Sequence, residues 1–305
     1  MSDVLFDREI RVEVFTEAGT RITLGPAPGP DLEPLHISFE VNLRTRGEPN
    51  DSTIRLYNLA PPTLNLLRND GAGVRLFAGY AGKADKIYEG TIIVPTTNPD
   101  GAVDTVTEII SSDGYRNLDR SYFSKSYSAG TLVFTVLKDV AESLGLPYEI
   151  NPETFATSAL LRGRSFDNKA RRVLQEVTGD YDLSWKIDYG VLKVGPRDRV
   201  DRTSPTAVLL NSETGFIGTP TVKFERYQTE TRRRIVARSL LNTGLRPGRM
   251  VQVESSRFIV EVDKKFKRSN DEIVPDGVYL IDEATFTGDN FGGDFDVEVT
   301  GYGNK

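Results

Sequence analysis

Apolar residues repeat every second position at both ends of this chain and every third or fourth in its middle. Few folds accommodate that order. Ile10, Val12 and Val14 alternate with Arg11 and Glu13, the period of a strand with one buried face. Leu35, Ile37, Phe39 and Val41 alternate with His36, Ser38 and Glu40. Shorter runs of the same kind follow at Ile54–Leu56, Val74–Tyr80, Ile87–Val94 and Val103–Ser111. The breaks between them are rich in Gly, Pro, Asn and Asp. The run Gly25–Pro30 cannot continue a ladder, because proline has no N–H to give. Short strands at this spacing predict a barrel or sandwich.

Near residue 128 the period lengthens. Leu132, Val133, Val136, Leu137, Val140, Ala141 and Leu144 share one helical face, and Lys138, Asp139 and Glu142 occupy the other. Ser128 or Thr131 is the expected cap, Gly145 the stop, and Pro147 blocks continuation. A second helix is expected over Asn168–Thr178. Its cap would be Ser165 or Asp167, its buried stripe Ala170, Val173, Leu174 and Val177, and its stop Gly179. Leu183, Trp185 and Ile187, then Leu192 and Val194, read as a hairpin turning at Asp188-Tyr189-Gly190. Pro196–Pro205 reads as a linker. Alternation then returns at Val251 and Val253, at Phe258, Val260 and Val262, at Val278 and Leu280, and at Phe295, Val297 and Val299. The expectation is a β-rich α+β multidomain chain: a β domain over 1–125, a small α+β domain over 126–200, and a second β domain over 201–305. No short repeat is exact, but the two β regions are compatible with a diverged pair.

The chemistry available is narrow. The chain has no cysteine, which excludes disulfides, thiolate nucleophiles, zinc-thiolate sites and iron–sulfur clusters. His36 is the single histidine, so one chain cannot build a multi-histidine metal site, and a Ser-His-Asp mechanism would have to run through it. No stretch approaches the ~18 apolar residues of a membrane span. The N-terminal residues lack a basic region followed by an apolar one, so no secretory signal is expected and synthesis in a reducing cytoplasm is. The formal net charge of −6 argues mildly against a nucleic-acid clamp.

Each candidate site has a plainer reading beside it. His36 lies on the polar side of a strand with no nucleophile or orienting acid specified nearby, and reads as a surface residue. Asp294, Asp296 and Glu298 alternate on one strand face; a carboxylate pair for glycoside hydrolysis is one reading, a solvated face the favoured one. Gly288–Asp294 has the oxygen donors of a calcium turn, but such turns come in tandem and this one stands alone, so a tight hairpin is favoured. Trp185 reads as core. The strongest charge cluster is Arg226, Arg232, Arg233, Arg234 and Arg238, extended by Arg246 and Arg249. An arginine cluster fits a protein–protein interface or a salt-bridged strand better than a nucleic-acid site here. No phosphate-binding glycine loop and no Gly-x-Ser-x-Gly elbow occur. No catalytic set, metal site or cofactor site is expected.

Several stretches, in order, resemble one family. Pro49-Asn50 followed by Ile54-Arg55-Leu56-Tyr57-Asn58-Leu59 is similar to a segment of phage tail baseplate hub proteins. Val74–Tyr80 with Gly90-Thr91-Ile92 resembles that family's next strands. A Ser-Phe-Asp-Asn-Lys-Ala helix start at 165–170, a Trp-containing hairpin and Thr214–Pro220 continue the likeness, and Gly277-Val278-Tyr279 and Thr287-Gly288-Asp289 complete it. The chain departs from the pattern at Phe286 or Thr287, where the family often has His, and in the Arg232–Arg234 triplet. The resemblance implies two tube-like β-barrel domains flanking the α+β domain, and a structural role without catalysis. It implies a homotrimeric ring that adapts a sixfold tail tube to a threefold central spike. The tail tube protein, the spike and baseplate wedge proteins would be its partners, and DNA a passing cargo. It further implies a place in the virion tail, after synthesis in the host cytoplasm. The acidic balance suits a channel wall to which DNA does not adhere. A tail-associated cell-wall hydrolase and a receptor- or glycan-binding tail module are the alternatives.

Overall fold

The computed structural model describes residues 7–25, 34–45, 48–80, 82–196, 206–227, 230–261 and 277–303, with the side chains of 224–232 outside that description. The first β region holds β1 (Arg8–Phe15), β2 (Arg21–Leu24), β3 (Ile37–Arg44), β4 (Asp51–Tyr57), helix α1 (Pro61–Leu67), β5 (Gly73–Tyr80), β6 (Lys83–Asp100) and β7 (Asp104–Ser112). The middle holds α2 (Tyr115–Arg120), β8 (Tyr122–Tyr127), α3 (Val133–Leu144), β9 (Tyr148–Ile150), β10 (Arg164–Lys169), α4 (Ala170–Asp180), β11 (Leu183–Asp188) and β12 (Val191–Pro196). The second β region holds β13 (Val208–Leu210), β14 (Phe216–Tyr227), β15 (Glu230–Leu240), β16 (Met250–Val253), β17 (Ile259–Glu261), β18 (Gly277–Asp289) and β19 (Phe295–Gly303). The chain is therefore β-rich α+β, with two strand-built regions flanking a small mixed unit. The expected linker after Pro196 lies outside the described residues.

The alternating residues do what their period requires. Val12, Val14, Ile37, Val41, Ile54 and Leu56 are fully buried in one core, together with Val222, Ile235, Phe286, Val297 and Val299 from the second β region. Each such side chain removed from water contributes roughly 1.5–3 kcal/mol. The two β regions thus share a core, and they also share a sheet of 14 strands.

Within that sheet the strand order repeats. The first region runs β3-β4-β7-β6-β5-β1, and the second runs β14-β15-β19-β18-β16-β13. The repeat extends to irregularities: β6 has a register shift between Ile92 and Val94, and β18 has one between Ile281 and Glu283. One ladder breaks the likeness, since β1 pairs β5 antiparallel while β13 pairs β16 parallel. β18 changes neighbours at its shift. Before it, Gly277–Leu280 pair with β16; after it, Glu283–Asp289 pair with Arg44–Ser38 of β3. At the turning point Thr45 N–H donates to Asp282 O at 3.0 Å, and the Thr45 hydroxyl donates to the Asp282 carboxylate. The β3–β18 ladder is the seam between the two regions.

The middle unit has its own core. The α3 stripe Val133, Val136, Leu137, Val140, Ala141 and Leu144 meets Val173, Leu174 and Val177 of α4 and Trp185 and Ile187 of β11. Leu118 and Phe123 belong to this core too, so the unit begins ahead of the expected boundary at 126. Gly145 ends α3 with φ 68°, as expected. The expected helix caps are not used. Leu132 precedes α3 without a side-chain bond, while Thr131 instead donates its hydroxyl to Ser128 O at 2.9 Å. Ser165 and Asp167 lie in β10, paired with Ser126 and Ser124 of β8. They are strand residues because a neighbouring strand takes their backbone groups. Gly179 does not stop α4, which continues to Asp180.

Candidate assembly surface

The arginine cluster does not form one patch. On β15, Ile235 and Ala237 face the core, so Arg233 shares their side of the strand and Arg234 and Arg238 take the other. Arg238 donates to Asp296 at 2.5 Å and lies 2.9 Å from Asp294. Asp296 is 5% exposed, and its hydrogen bond raises the already high pKa of Arg238. Arg238 is thus half of an intrachain ion pair, and Asp296 is not a solvated carboxylate. Arg234 lies 3.8 Å from Glu283 across the sheet. Arg226 and Arg232 contribute backbone pairing opposite Thr231 and Glu225; their side chains lie outside the described residues. Among the described residues the ladder of β15 with β19 begins at Arg234, opposite Tyr302.

His36 is not an ordinary surface residue. Its ring stacks on Tyr57 at 4.0 Å, packs against Phe291 at 5.1 Å, and its Nε2 is 3.1 Å from Asp289 Oδ1. Asp289 and Phe291 sit at the β18–β19 turn, so His36 is part of a clamp across the seam. Arg8 extends it by donating to the carbonyls of Asp289 and Gly292 at 3.0 and 3.1 Å. The Gly288–Asp294 turn is the expected tight hairpin. Asp289 Oδ1 accepts from the N–H groups of Phe291 and Gly292, and Asp289 N–H donates to Asp294 O.

A second junction escaped the pattern analysis. The β11–β12 turn, from the middle unit, inserts between both β regions. Tyr189 donates its hydroxyl to Lys86 O at 2.6 Å, and Lys86 Nζ and Arg246 Cζ lie 4.2 and 4.6 Å from the centre of its ring. A cation over an aromatic ring is attracted by its quadrupole. Arg246 reaches Ile87 O at 3.3 Å and Asp188 at 3.4 Å. Asn50 donates to Ile187 O at 3.0 Å, and Asp113 accepts from Gly190 N–H at 3.1 Å. Burial pushes the Asp113 carboxyl up to about 7 and the Lys186 ammonium down to about 8. Each charged form is disfavoured by leaving water. The only sequence signals were the turn motif at 188–190 and the outlying Arg246.

The described residues hold no cluster of three metal-ligating side chains. A polar cleft of about 490 Å³ opens where β3, α4 and β18 meet, lined by Arg44, Glu48, Arg171 and Glu283 among others. Arg44 is already paired with Asp51 at 2.8 Å, and the Thr45 hydroxyl that lines the cleft is held by the Asp282 carboxylate at the turning point of β18.

Two β regions of one strand order, joined edge to edge, bracket an α+β unit, and solved structures that include tail proteins share this fold. Among solved structures, the 43 kDa tail protein of prophage MuSo2 from Shewanella oneidensis is similar at TM-score 0.62 and 8% identity, over 97% of this chain and 96% of that one. The tail protein from Neisseria meningitidis MC58 is similar at TM-score 0.60 and 10% identity, over 98% and 97%. The E. coli c3393 protein is similar at TM-score 0.61 and 11% identity, over 89% and 74%; it is a type VI secretion system component with structural similarity to the T4 bacteriophage tail proteins gp27 and gp5. At these identities the likeness is one of fold. No protein-family model matches the sequence, and no curated protein matches it.

Proposed function

We propose that this chain is a non-enzymatic structural component of a phage tail baseplate, a homotrimeric central hub ring that adapts a sixfold tail tube to a threefold spike. The observation that carries the reading is the repeated strand order within one chain. Three chains with two like regions each present six like positions to the tube, while the middle unit and each region's own side chains repeat three times. The fold likeness to tail proteins supports the setting. The tail tube protein, the central spike and wedge proteins are the partners this reading assigns, and the virion tail is its location. The three-part division, expected at 1–125, 126–200 and 201–305, belongs to the same proposal, with its first boundary moved ahead of Leu118. So does a subunit contact at the arginines of the β14–β15 hairpin, Arg226 and Arg232–Arg234; Arg238 has a structural role in its pairing with Asp296.

DNA passes through such a ring without being held. Arg44, Arg55 and Arg238 each lie within 3.0 Å of a carboxylate of the same chain. A guanidinium paired this way has little left for phosphate, and a net charge of −6 per chain repels a polyanion. Cryo-electron microscopy of assembled tails should show three copies on the axis between tube and spike. Six or more copies at the periphery would overturn the assignment.

A further inference from the structure

The repeat predicts where one copy meets the next. Superposing the two register shifts places Val94 on Glu283 and Asp100 on Asp289, since each strand then runs the same length to its turn. Following the ladders across each sheet places Glu40 on Thr221: Val94 is opposite Ile110, then Thr53, then Glu40; Glu283 is opposite Thr300, then Val236, then Thr221. So β6 corresponds to β18, and β14 to β3. In the seam the edge of β18 beyond its shift is filled by β3. The corresponding edge of β6 is empty among the described residues, because its pairing with β5 ends at Thr91. One half of the same joint is open at one end of the chain, and its complement, β14, lies at the other.

Resting on the ring reading above, we infer that β6 of one copy pairs antiparallel with β14 of the next, repeating the β3–β18 seam with Thr96, Thr97 and Asn98 opposite Lys223, Val222 and Thr221. Both sides of this joint are guarded in the single chain. On β14, residues Thr221–Lys223 are covered by the short parallel strand β17, Ile259–Glu261, and Lys223 Nζ holds Glu261 at 2.7 Å. On β6, Pro95 and Pro99 fit a paired strand where the missing N–H faces the open edge. By the two-residue period Thr97 faces the same way, and it is the one N–H donor left among these three. Prolines on an edge and a covering strand are both means of preventing indiscriminate strand pairing. The joint therefore forms when β17 yields its place. It is short enough that one contact is weak and the closed ring is held by several.

The absence of cysteine permits a direct test. Directly opposed strand residues have Cα atoms about 4.5–5.5 Å apart, within disulfide reach. In the seam the equivalent pair is Thr285 and Asn42, hydrogen-bonded at 2.9 Å. Thr96→Cys with Lys223→Cys, oxidised in assembled tails, should give covalent multimers on a non-reducing gel. Thr285→Cys with Asn42→Cys should give a bridge within one chain and no multimers. If the first variant is present in tails yet stays monomeric on the gel while the control bridges, the joint is wrong even where three axial copies uphold the hub. A second arm covers failure to incorporate. Thr97→Pro should melt as the wild-type monomer does but lose incorporation at least tenfold, while Thr97→Val, which keeps the N–H, assembles normally. Normal assembly of Thr97→Pro would overturn the inference.

Discussion

Replacing Asp113 by Asn should stabilise the protein at alkaline pH and leave it nearly unchanged in acid. Asp113 is 3% exposed and sits beneath the β11–β12 turn. Burial is the main cause of its raised pKa. The charges of Asp188 and Glu89 add to it, and the backbone N–H groups of Gly190 and Tyr189 oppose it. The pKa moves from 3.8 to about 7, and each unit is worth about 1.36 kcal/mol, so ionising the buried group costs roughly 4 kcal/mol as an upper figure. For an acid with a raised folded pKa, the folded state holds the proton more tightly. Between about pH 4 and 7 the unfolded chain gives up this proton first. Wild-type stability therefore falls across that window and levels off above it. The Asp113→Asn side chain keeps a carbonyl oxygen for the Gly190 N–H and has no proton to lose. Urea unfolding followed by Trp185, the single tryptophan and 1% exposed, reports on the unit that Asp113 supports. The variant should gain about 2–4 kcal/mol over wild type at pH 8 and little at pH 4.5. An equal difference at both values would show that Asp113 does not ionise at that cost.

Leu137→Asp places an unpaired charge in the α3–α4 core, where Leu137 has no exposure. It should cost several kcal/mol, and an unchanged melting curve would mean that the stripe faces solvent. Gly114→Ala meets two obstacles, a φ of +65° and a new Cβ 2.5 Å from Ile187 Cδ1. A loss of roughly 1–3 kcal/mol is expected; Ile187→Val should restore part of it, and no restoration would assign the cost to backbone strain alone. Arg238→Met leaves the carboxylate of Asp296 without its partner and should cost about 1–3 kcal/mol. The loss should be relieved in a double variant with Asp296→Asn, and additivity of the two changes would refute the pairing.

Period two and period 3.6 made most strands and the two main helices legible. A face either meets a core or does not, and Val12, Val41 or Leu137 carries that choice in its own side chain. Elements whose partners are remote in sequence were less legible. β8 and β10 are polar strands, Tyr-Phe-Ser-Lys-Ser-Tyr and Arg-Ser-Phe-Asp-Asn-Lys, held by each other, and no local signal separates Ser165 in a strand from Ser165 as a cap. The site followed the same division. The arginine triplet was visible as charge, but strand geometry sends Arg233 and Arg234 to opposite faces, and Asp296 takes up Arg238. His36 looked solvated because Tyr57 comes to it from β4, and Asp289 and Phe291 from the remote β18–β19 turn. Tyr189 gained its partners only when both β regions closed around its turn.

The seam also sets a timetable for synthesis. β3 emerges early, yet the strand that fills its outer edge, ending at Asp289, follows roughly 240 residues later. At about 5–20 residues per second, that edge waits roughly ten to fifty seconds on the ribosome. Ile37, Phe39, Val41 and Leu43 find β4 at once, since the β3–β4 hairpin is local, but the backbone groups facing β18 have no cis partner until the chain is nearly complete. In the meantime Glu40 and Arg44 stand on the solvent face of the waiting strand, where charge discourages a passing chain from adding to it. A nascent chain arrested before residue 277 keeps this edge unfilled, so association of such fragments in crowded polysomes would be expected to depend on those two charges.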